Sequence, residues 1–272
     1  AYSNGDFPVS LTIHDDILYV LNSGGSASIS GFDFDPESGL LTPIPGSTRS
    51  LDFVGDDTLP RFLVSPAQIS FDKEGERLVV TVKGSNSIHV YSVNDAGQAD
   101  EIRVTTQSNG RTPFGFGFDR RGHLLVAEAF GSGDLGQAGA SAVTSYTIRE
   151  DNTLEVISPS VPNFQTASCW LVTNRRIPFA YTTNNASDSV SGYKIGKDGS
   201  ISLLNASGII ANTGHAPVDL AMTRKGNFLY ALNAGDGTIS MFKVDTKTGD
   251  LSSLGDIGGL PVDDGAVGIA AR

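Results

Sequence analysis

Apolar and polar residues alternate along most of this chain, and the alternation is organised in a unit that repeats. Each unit opens with a short apolar run, and a second run follows about twelve residues later. The openings begin at Pro8, Pro66, Pro113, Ser168 and Pro217, and a sixth begins at Ala266, which gives a mean period of about 52 residues. A fixed period of this length indicates an array of similar structural modules.

The fifth unit shows the secondary structure of the module most clearly. Its four runs alternate with a period of two and are separated by turn-forming residues: Val218–Met222, Phe228–Leu232, Thr238–Val244 and Leu251–Leu254. No segment of the chain has the pattern of an amphipathic helix. Four-stranded modules bury their faces only against neighbouring modules, so the sequence predicts an all-β fold, a β-propeller of four-stranded antiparallel blades. An irregular β-sandwich is the alternative.

We therefore expect one propeller domain over residues 1–272. Its repeats cover about 7–55, 65–110, 112–164, 167–212 and 216–258, with a closing strand at 266–272 and longer connections at 50–64 and 131–141. The sixth opening has no second, third or fourth strand, and a strand without partners exposes its hydrogen-bonding edges. We expect its partners to come from sequence upstream of Ala1 or from a second chain.

Composition argues against several classes of partner. The chain has 19 Lys and Arg against 30 Asp and Glu, and its formal net charge of −11 disfavours nucleic acid and anionic lipid surfaces. No apolar run approaches the roughly 18 residues of a membrane helix. The single cysteine excludes an internal disulfide, and the first residues lack the pattern of a signal peptide. We expect a soluble protein, cytoplasmic or secreted.

The predicted topology places candidate chemistry at one end of the blades. The first strand of each blade begins, and the second strand ends, at this same end. The residues that close the second strand are Asn22, Val82, Glu128, Asn184 and Asn233. Asparagine is common in tight turns because its side chain bonds the nearby backbone. Glu128 places a carboxylate where three other units have asparagine, so it is the candidate for a functional role, with a salt-bridged structural role as the alternative.

Several short sequence segments resemble those of the seven-bladed propeller lactonase family, which includes bacterial 6-phosphogluconolactonases and fungal carboxymuconate lactonizing enzymes. They are Asn22-Ser23-Gly24-Gly25, Pro113-Phe114-Gly115-Phe116, Ala127-Glu128-Ala129-Phe130-Gly131 and the ending from Gly265 to Arg272. The resemblance covers essentially the whole chain as the last five blades, so we expect about two N-terminal blades of the family to be lacking. The resemblance implies hydrolysis of a sugar or organic-acid lactone at the mouth of the central channel around which propeller blades are arranged, with no cofactor.

The resemblance also identifies where this chain departs from the family. The lactonizing relatives have Pro-His at one first strand, Pro-Arg-His at the next and Asn-Glu-Leu after the following second strand. Glu128 matches the glutamate, but the other positions read Pro66-Ala67-Gln68 and Pro113-Phe114-Gly115. We expect Glu128 to be the general base and Arg111 and His215 to replace the missing cations at the oxyanion. Arg61 and Lys83 are further cations in adjoining connections.

We expect six further residues to bind the substrate: Gln68, Phe114, Trp170, Asp219, Asn184 and Asn233. Two other functions remain open. In the first, the protein is a non-catalytic binding or surface propeller, and the apolar residues Ala67 and Phe114 mark the loss of the family's chemistry. Alternatively, a central Ca²⁺ is coordinated by oxygen ligands from Glu128, Asn22, Asn184, Asn233 and Asp219, as in calcium-dependent lactonase propellers.

Other motifs carry less weight. Gly131–Gly136 fits a dinucleotide-binding pattern but leads into a predicted strand, without the helix N-terminus that binds phosphate. His14-Asp15-Asp16 falls in a predicted turn at the opposite end of the blade. Cys169 has no histidine at a neighbouring repeat position that would activate it as a nucleophile. No HExxH, CxxC or Walker motif is present.

Overall fold

The computed structural model describes residues 1–54, 64–130, 138–262 and 267–272, and it confirms the predicted fold class. The chain forms five antiparallel sheets in sequence order, each built from consecutive strands. A single turn of 3-10 helix at Asn185–Ser187 is the only helix in the described part of the chain. We call the sheets blades 1 to 5, because this arrangement of four-stranded sheets is that of propeller blades.

Blades 1 and 2 are formed by the first half of the chain. Blade 1 comprises β1 (Pro8–His14), β2 (Ile17–Asn22), β3 (Ser26–Phe34) and β4 (Leu41–Pro43), and β5 (Arg49–Val54) also pairs with β3. Blade 2 comprises β6 (Pro66–Phe71), β7 (Arg77–Val82), β8 (Ser87–Ser92) and β9 (Val104–Gln107).

Blades 3 to 5 follow the same order. Blade 3 comprises β10 (Pro113–Phe118), β11 (Leu124–Glu128), β12 (Ala142–Ile148) and β13 (Leu154–Pro162). Blade 4 comprises β14 (Ser168–Thr173), β15 (Phe179–Asn184), β16 (Ser189–Ile195) and β17 (Ile201–Leu203), with β18 (Ala211–Asn212) also paired to β16. Blade 5 comprises β19 (Pro217–Met222), β20 (Phe228–Asn233), β21 (Thr238–Val244) and β22 (Leu251–Ile257).

The strand register repeats from blade to blade. The residue that opens the first strand pairs with the residue that closes the second, as in Pro113 with Glu128 and Pro217 with Asn233. A shift of register follows this pair in every blade. The side chains that close the second strands are therefore held at equivalent positions in all five sheets.

The chain divides into two compact units, each with its own core. One unit consists of Ala1–Ser108 with Arg149–Leu154, and the other of Asn109–Ile148 with Glu155–Arg272. In the first unit, β1 packs against β6, and Tyr19, Leu21 and Phe71 are buried in the shared core. In the second, β10 packs against β14 and β14 against β19, with Tyr181, Tyr193 and similar side chains buried between the sheets.

The C-terminal segment differs in form from the predicted closing strand. Ala266 lies outside the described residues, and 267–272 form no regular strand. The backbone N–H of Ile269 nevertheless donates a 2.9 Å hydrogen bond to Oδ2 of Asp219 in β19. The segment thus lies beside the first strand of blade 5. In the part of the chain that the structure describes, no helix has the length and apolar character needed to cross a bilayer.

Candidate functional site

The candidate site lies at the end of blades 3 to 5 where each first strand begins. We call this the upper end, and it also carries the turns between the second and third strands. The lower end carries the turns between first and second strands and between third and fourth strands. His14 lies near such a lower turn in blade 1, as predicted, next to Asp15 and against the ring of Phe71.

A histidine and an aspartate from neighbouring blades meet at the upper end. His215 precedes β19 of blade 5, and Asp188 precedes β16 of blade 4. Nδ1 of His215 lies 3.2 Å from both carboxylate oxygens of Asp188. Their side chains are 69% and 46% exposed, so solvent reaches the pair. A proton on Nδ1 is held by the carboxylate, and the free electron pair is then on Nε2.

Backbone hydrogen bonds fix the position of His215. Its N–H donates to Oδ2 of Asp236 at 2.7 Å, and its carbonyl accepts from Gly235 N–H at 3.1 Å. Ala216 N–H donates to Oδ1 of Asp188 at 2.8 Å. Asp188 and Ala216 both have positive φ, 44° and 53°, and the hydrogen bond between them joins the two loops. The imidazole is therefore oriented from both its ring and its backbone.

Glu128 occupies a different environment from the one expected of it. Its side chain is fully buried inside blade 3. Oε1 accepts hydrogen bonds from Gly110 N–H at 2.8 Å and from the Thr144 hydroxyl, and Oε2 accepts from the Ser160 hydroxyl at 2.7 Å. Burial raises the pKa of Glu128, and the hydrogen bonds from Thr144, Ser160 and Gly110 oppose that rise. The carboxylate thus connects β12, β13 and the segment before β10.

The asparagines of blades 4 and 5 form the same kind of network. Asn184 donates to Ser189 and Ser191 and accepts from Asn163 and Ser168, all within 3.1 Å. Asn233 donates to Thr238 and Ser240 at 2.9 Å. In all three blades the side chain that closes the second strand bonds a hydroxyl two residues into the third strand. Glu128 is therefore the acidic member of a repeated network within the blades, and its catalytic role stays a prediction.

Asp219 is the second buried carboxylate among the predicted site residues. It is 6% exposed, and it accepts hydrogen bonds from Leu220 N–H at 2.7 Å and Ile269 N–H at 2.9 Å. Burial raises the pKa of Asp219 to about 7, although both backbone hydrogen bonds oppose the rise. Its contacts connect β19 to the C-terminal segment.

The remaining predicted residues are spread over the two units. Arg111 is exposed just before β10, and its guanidinium makes no hydrogen bond or ion pair with another described residue. Phe114 is buried in β10, and Trp170 in β14 packs partly buried against the core of blades 4 and 5. Gln68 is half-buried in β6 of the other unit. Arg61 and residues 131–137 of the predicted loop lie outside the described residues.

The structure gives no support for convergence of the proposed calcium ligands. Glu128, Asn184 and Asn233 each bond within their own blades, as described above, and Asn22 donates to the carbonyl of Ser3 at 2.9 Å. No three His, Cys, Asp or Glu side chains are grouped to hold a metal ion in residues 1–54, 64–130, 138–262 and 267–272. Glu128, Asn184 and Asn233 are used in hydrogen bonds within their own blades, so no chemistry is assigned to calcium here.

Asp188 is the site residue that sequence reasoning missed. It lies in the turn after β15, one of several Asp and Asn residues in turns of this chain. It is 27 positions from His215 along the chain, so spacing alone does not connect them. Only its position in the repeat could have identified it. The turn between the second and third strands lies at the same end of the blade as the residues that precede the next blade, where His215 is found.

Three solved structures show how widely this fold is shared. A protein described as a candidate 6-phosphogluconolactonase from Bacteroides uniformis is 18% identical, with a TM-score of 0.72 over 93% of this chain and 72% of that one. A protein of unknown function from Desulfotomaculum acetoxidans is 16% identical, with a TM-score of 0.70 over 94% and 71%. The periplasmic gluconolactonase of Pseudomonas aeruginosa is 18% identical, with a TM-score of 0.57 over 94% and 87%.

At these identities the three structures establish the fold and leave the activity of this chain open. Comparison with curated proteins gives no significant match. A family model described as "Lactonase, 7-bladed beta-propeller" matches residues 47–136 and 144–262, most of the chain. The chain therefore belongs to the seven-bladed β-propeller lactonase family.

Proposed function

We propose that this protein hydrolyses a lactone of a sugar or organic acid, with His215 as the general base. The observation that carries the proposal is the contact between Nδ1 of His215 and the Asp188 carboxylate at the upper end of blades 4 and 5. Membership of a lactonase family supports the reaction type. The geometry supports this histidine because its Nε2 edge is on an exposed ring.

The chemistry requires one proton acceptor and one stabiliser of negative charge. Nε2 of His215 removes a proton from water as the water oxygen bonds to the lactone carbonyl carbon. The bond from that carbon to the ring oxygen then breaks, and the imidazolium returns the proton to the departing alkoxide. Asp188 holds the imidazole in the required tautomer and stabilises its positive charge, as the carboxylate of a His-Asp pair does in other hydrolases.

Arg111 is the available cation for the oxyanion. It lies at the same end of the blades in the same unit, and its guanidinium is not used by another described side chain. Arginine donors directed at a developing oxyanion stabilise the transition state more than the ground state. In this proposal, Arg111 supplies charge stabilisation and His215 supplies proton transfer, whereas Glu128 maintains the structure of blade 3.

The test is turnover of a panel of sugar and organic-acid lactones, corrected for spontaneous hydrolysis. His215→Asn should lower kcat by about a hundredfold or more, since general-base catalysis contributes factors of this order. Asp188→Asn should lower it by a smaller factor. His14→Asn is the matched control, because His14 also has a neighbouring aspartate but lies near a lower turn of blade 1.

Glu128→Gln separates this proposal from the assignment of Glu128 as the base. If His215 is the base, the Glu128→Gln protein should retain most of its activity, whereas the His215→Asn protein should lose it. Loss of turnover in Glu128→Gln, with an unchanged circular dichroism spectrum, would transfer the role to Glu128. Absence of turnover on every lactone would favour a non-catalytic binding propeller.

A further inference from the structure

We propose that the substrate is an uncharged lactone and that phosphorylated or carboxylated lactones are rejected. This inference rests on the proposed function, because it concerns the ligand of the same upper end. It is carried by the distribution of charge in the unit formed by Asn109–Ile148 and Glu155–Arg272.

Cationic side chains in this unit are concentrated at the lower end of the blades. Ten of its twelve Lys and Arg lie in lower turns or at the lower ends of third strands: Arg120, Arg121, Arg175, Arg176, Lys194, Lys197, Arg224, Lys225, Lys243 and Lys247. Arg272 is the last residue of the C-terminal segment. Among the Lys and Arg of this unit that precede the C-terminal segment, Arg111 is then the one at the upper end, and residues 131–137 and 263–266 contain no Lys or Arg.

Two carboxylates, by contrast, are in contact with His215. Asp188 contacts its ring, and Asp236 accepts from its backbone N–H. Burial raises the pKa of Asp236, but hydrogen bonds from His215 and Thr238 outweigh this effect and hold the pKa below its usual value. This carboxyl group is therefore ionised at neutral pH. Asp236 is exposed, so its charge acts on an approaching ligand.

This arrangement is unsuited to an anionic ligand. Phosphate recognition in proteins uses clustered Arg or Lys donors or a helix N-terminus. Among the described residues at the upper end of this unit, Arg111 is a single arginine. In the proposed reaction it already stabilises the oxyanion. At a separation of about 10 Å in water, two carboxylates repel a phosphate dianion by the equivalent of about a tenfold loss of binding, and the single positive charge of Arg111 at a similar distance offsets about half of this free energy. An uncharged lactone meets no such repulsion.

The same charges have a consequence for the product. Hydrolysis converts an uncharged lactone into a hydroxy acid that is a carboxylate at neutral pH. The product therefore acquires the charge that Asp188 and Asp236 repel, whereas the substrate lacks it. The upper end should bind the lactone better than the acid formed from it.

The experiment compares gluconolactone with its 6-phosphate, at pH 7 and low ionic strength. We expect kcat/KM to favour the uncharged lactone by about threefold or more. Added salt should raise kcat/KM for the phosphorylated lactone and leave that for gluconolactone unchanged, because screening weakens repulsion. A preference for the phosphorylated lactone, or a rate on it that falls with salt, would overturn the inference.

Binding of non-hydrolysable analogues keeps the test independent of catalysis. Titration calorimetry with gluconolactam and its 6-phosphate should show tighter binding of the uncharged lactam. If neither lactone is hydrolysed but the uncharged lactam binds more tightly, the proposed hydrolysis is wrong and the inference on charge is supported. Tighter binding of the phosphorylated lactam, equal binding of the two, or no binding of either lactam contradicts the inference.

Two variants that each remove one carboxylate, one at the upper end and one at the lower end, test whether the charge near His215 selects the substrate. Asp236→Asn should raise the ratio of the phosphorylated to the uncharged rate, whatever its effect on the absolute rates. Asp198→Asn removes the same charge from an exposed turn at the lower end of blade 4 and should leave the ratio unchanged. An equal ratio in the wild type and the Asp236 variant would show that this carboxylate does not select the substrate.

Discussion

Asp219 and Ile269 reproduce in blade 5 a contact that Ser10 and Ile69 make between blades 1 and 2. Ile69 N–H donates to Oγ of Ser10 at 3.2 Å, and Ile269 N–H donates to Oδ2 of Asp219 at 2.9 Å. Ser10 and Asp219 are each the third residue of an opening, and both isoleucines are the fourth residue of the next opening. The C-terminal segment therefore lies where the first strand of a following blade would lie.

Substituting Asp219 should change the pH dependence of stability. Burial raises the pKa of Asp219 from 3.8 to about 7, so the folded state binds this proton more tightly than the unfolded state. Its ionisation therefore costs stability progressively as the pH rises from about 4 to about 7. We expect Asp219→Asn to be more stable than the wild type at pH 8, by up to about 4 kcal/mol, and to lose this advantage near pH 4.

Urea unfolding at pH 4, 6 and 8 measures this effect. The amide of the variant has one oxygen where the carboxylate has two, so it can accept from Leu220 N–H or from Ile269 N–H but not in both places. The loss of one hydrogen bond offsets part of the expected gain, by about 1 kcal/mol. Asp198→Asn, at an exposed turn, is the control for the loss of one negative charge. An Asp219→Asn protein that is less stable than the wild type at pH 8 would show that the charged carboxylate stabilises the segment.

His89 should give the opposite dependence in blade 2. It is 3% exposed, its Nε2 lies 3.1 Å from the Ser87 hydroxyl, and its Nδ1 is buried without a described partner. Burial lowers the pKa of His89 to about 4, and the charge of Arg103 contributes in the same direction. The folded state thus binds this proton less tightly, so the stability present above pH 6.5 is lost as the pH falls to about 4.

The measurement is the difference between wild type and His89→Gln in urea unfolding at pH 7 and pH 4. The wild type should lose about 3 kcal/mol more than the variant over this interval, the equivalent of the lowered pKa. His14→Gln, with a more exposed histidine, should follow the wild type. Identical pH dependence of wild type and His89→Gln would mean that His89 is accessible to protons in the folded state. Asp219 changes the stability with pH in the opposite direction, but its contribution is the same in the wild type and in His89→Gln. The difference between these two proteins therefore reports His89 alone.

The fold could be predicted from the sequence because its determinants are local and repeated. Alternation with a period of two and turn residues at fixed positions specify each strand, and the structure forms β19, β20 and β21 within one residue of the predicted bounds. The fourth strand, β22, continues to Ile257, three residues beyond its prediction, because Leu251–Ile257 pairs with β21 through a register shift. Local pattern does not specify such a shift.

The candidate site was less predictable, because it depends on contacts between blades. Glu128 breaks the asparagine pattern and therefore stood out in the sequence, yet the structure places it among hydroxyls inside blade 3. A residue type alone does not reveal whether its side chain is directed into the blade or into solvent. Asp188 had no distinguishing pattern, and its significance depends on the contact with His215. Both outcomes are set by tertiary packing.

A glycine three residues before the opening accompanies this network in several blades. Gly5, Gly110 and Gly214 precede Pro8, Pro113 and Pro217, and a Cβ at each would collide with Asn22, Glu128 and Asn233, respectively. None of the three has a positive φ, so the requirement for glycine is one of space. At Gly110 the added methyl group would overlap the carboxylate of Glu128, which already accepts three hydrogen bonds.

Gly110→Ala should therefore destabilise the protein by about 2 kcal/mol or more, the usual range for overpacking a filled interior. Gly258→Ala is the matched control, because the nearest atom to its Cβ would be Cγ2 of Thr238 at 3.8 Å. The clash should also be specific to Glu128. In a double-mutant cycle, Gly110→Ala should cost less in the Glu128→Ser background, with a coupling of about 1 kcal/mol or more. Additive effects would mean that the backbone at Gly110 moves to admit the methyl group, and the buried network would then not be the reason for this glycine.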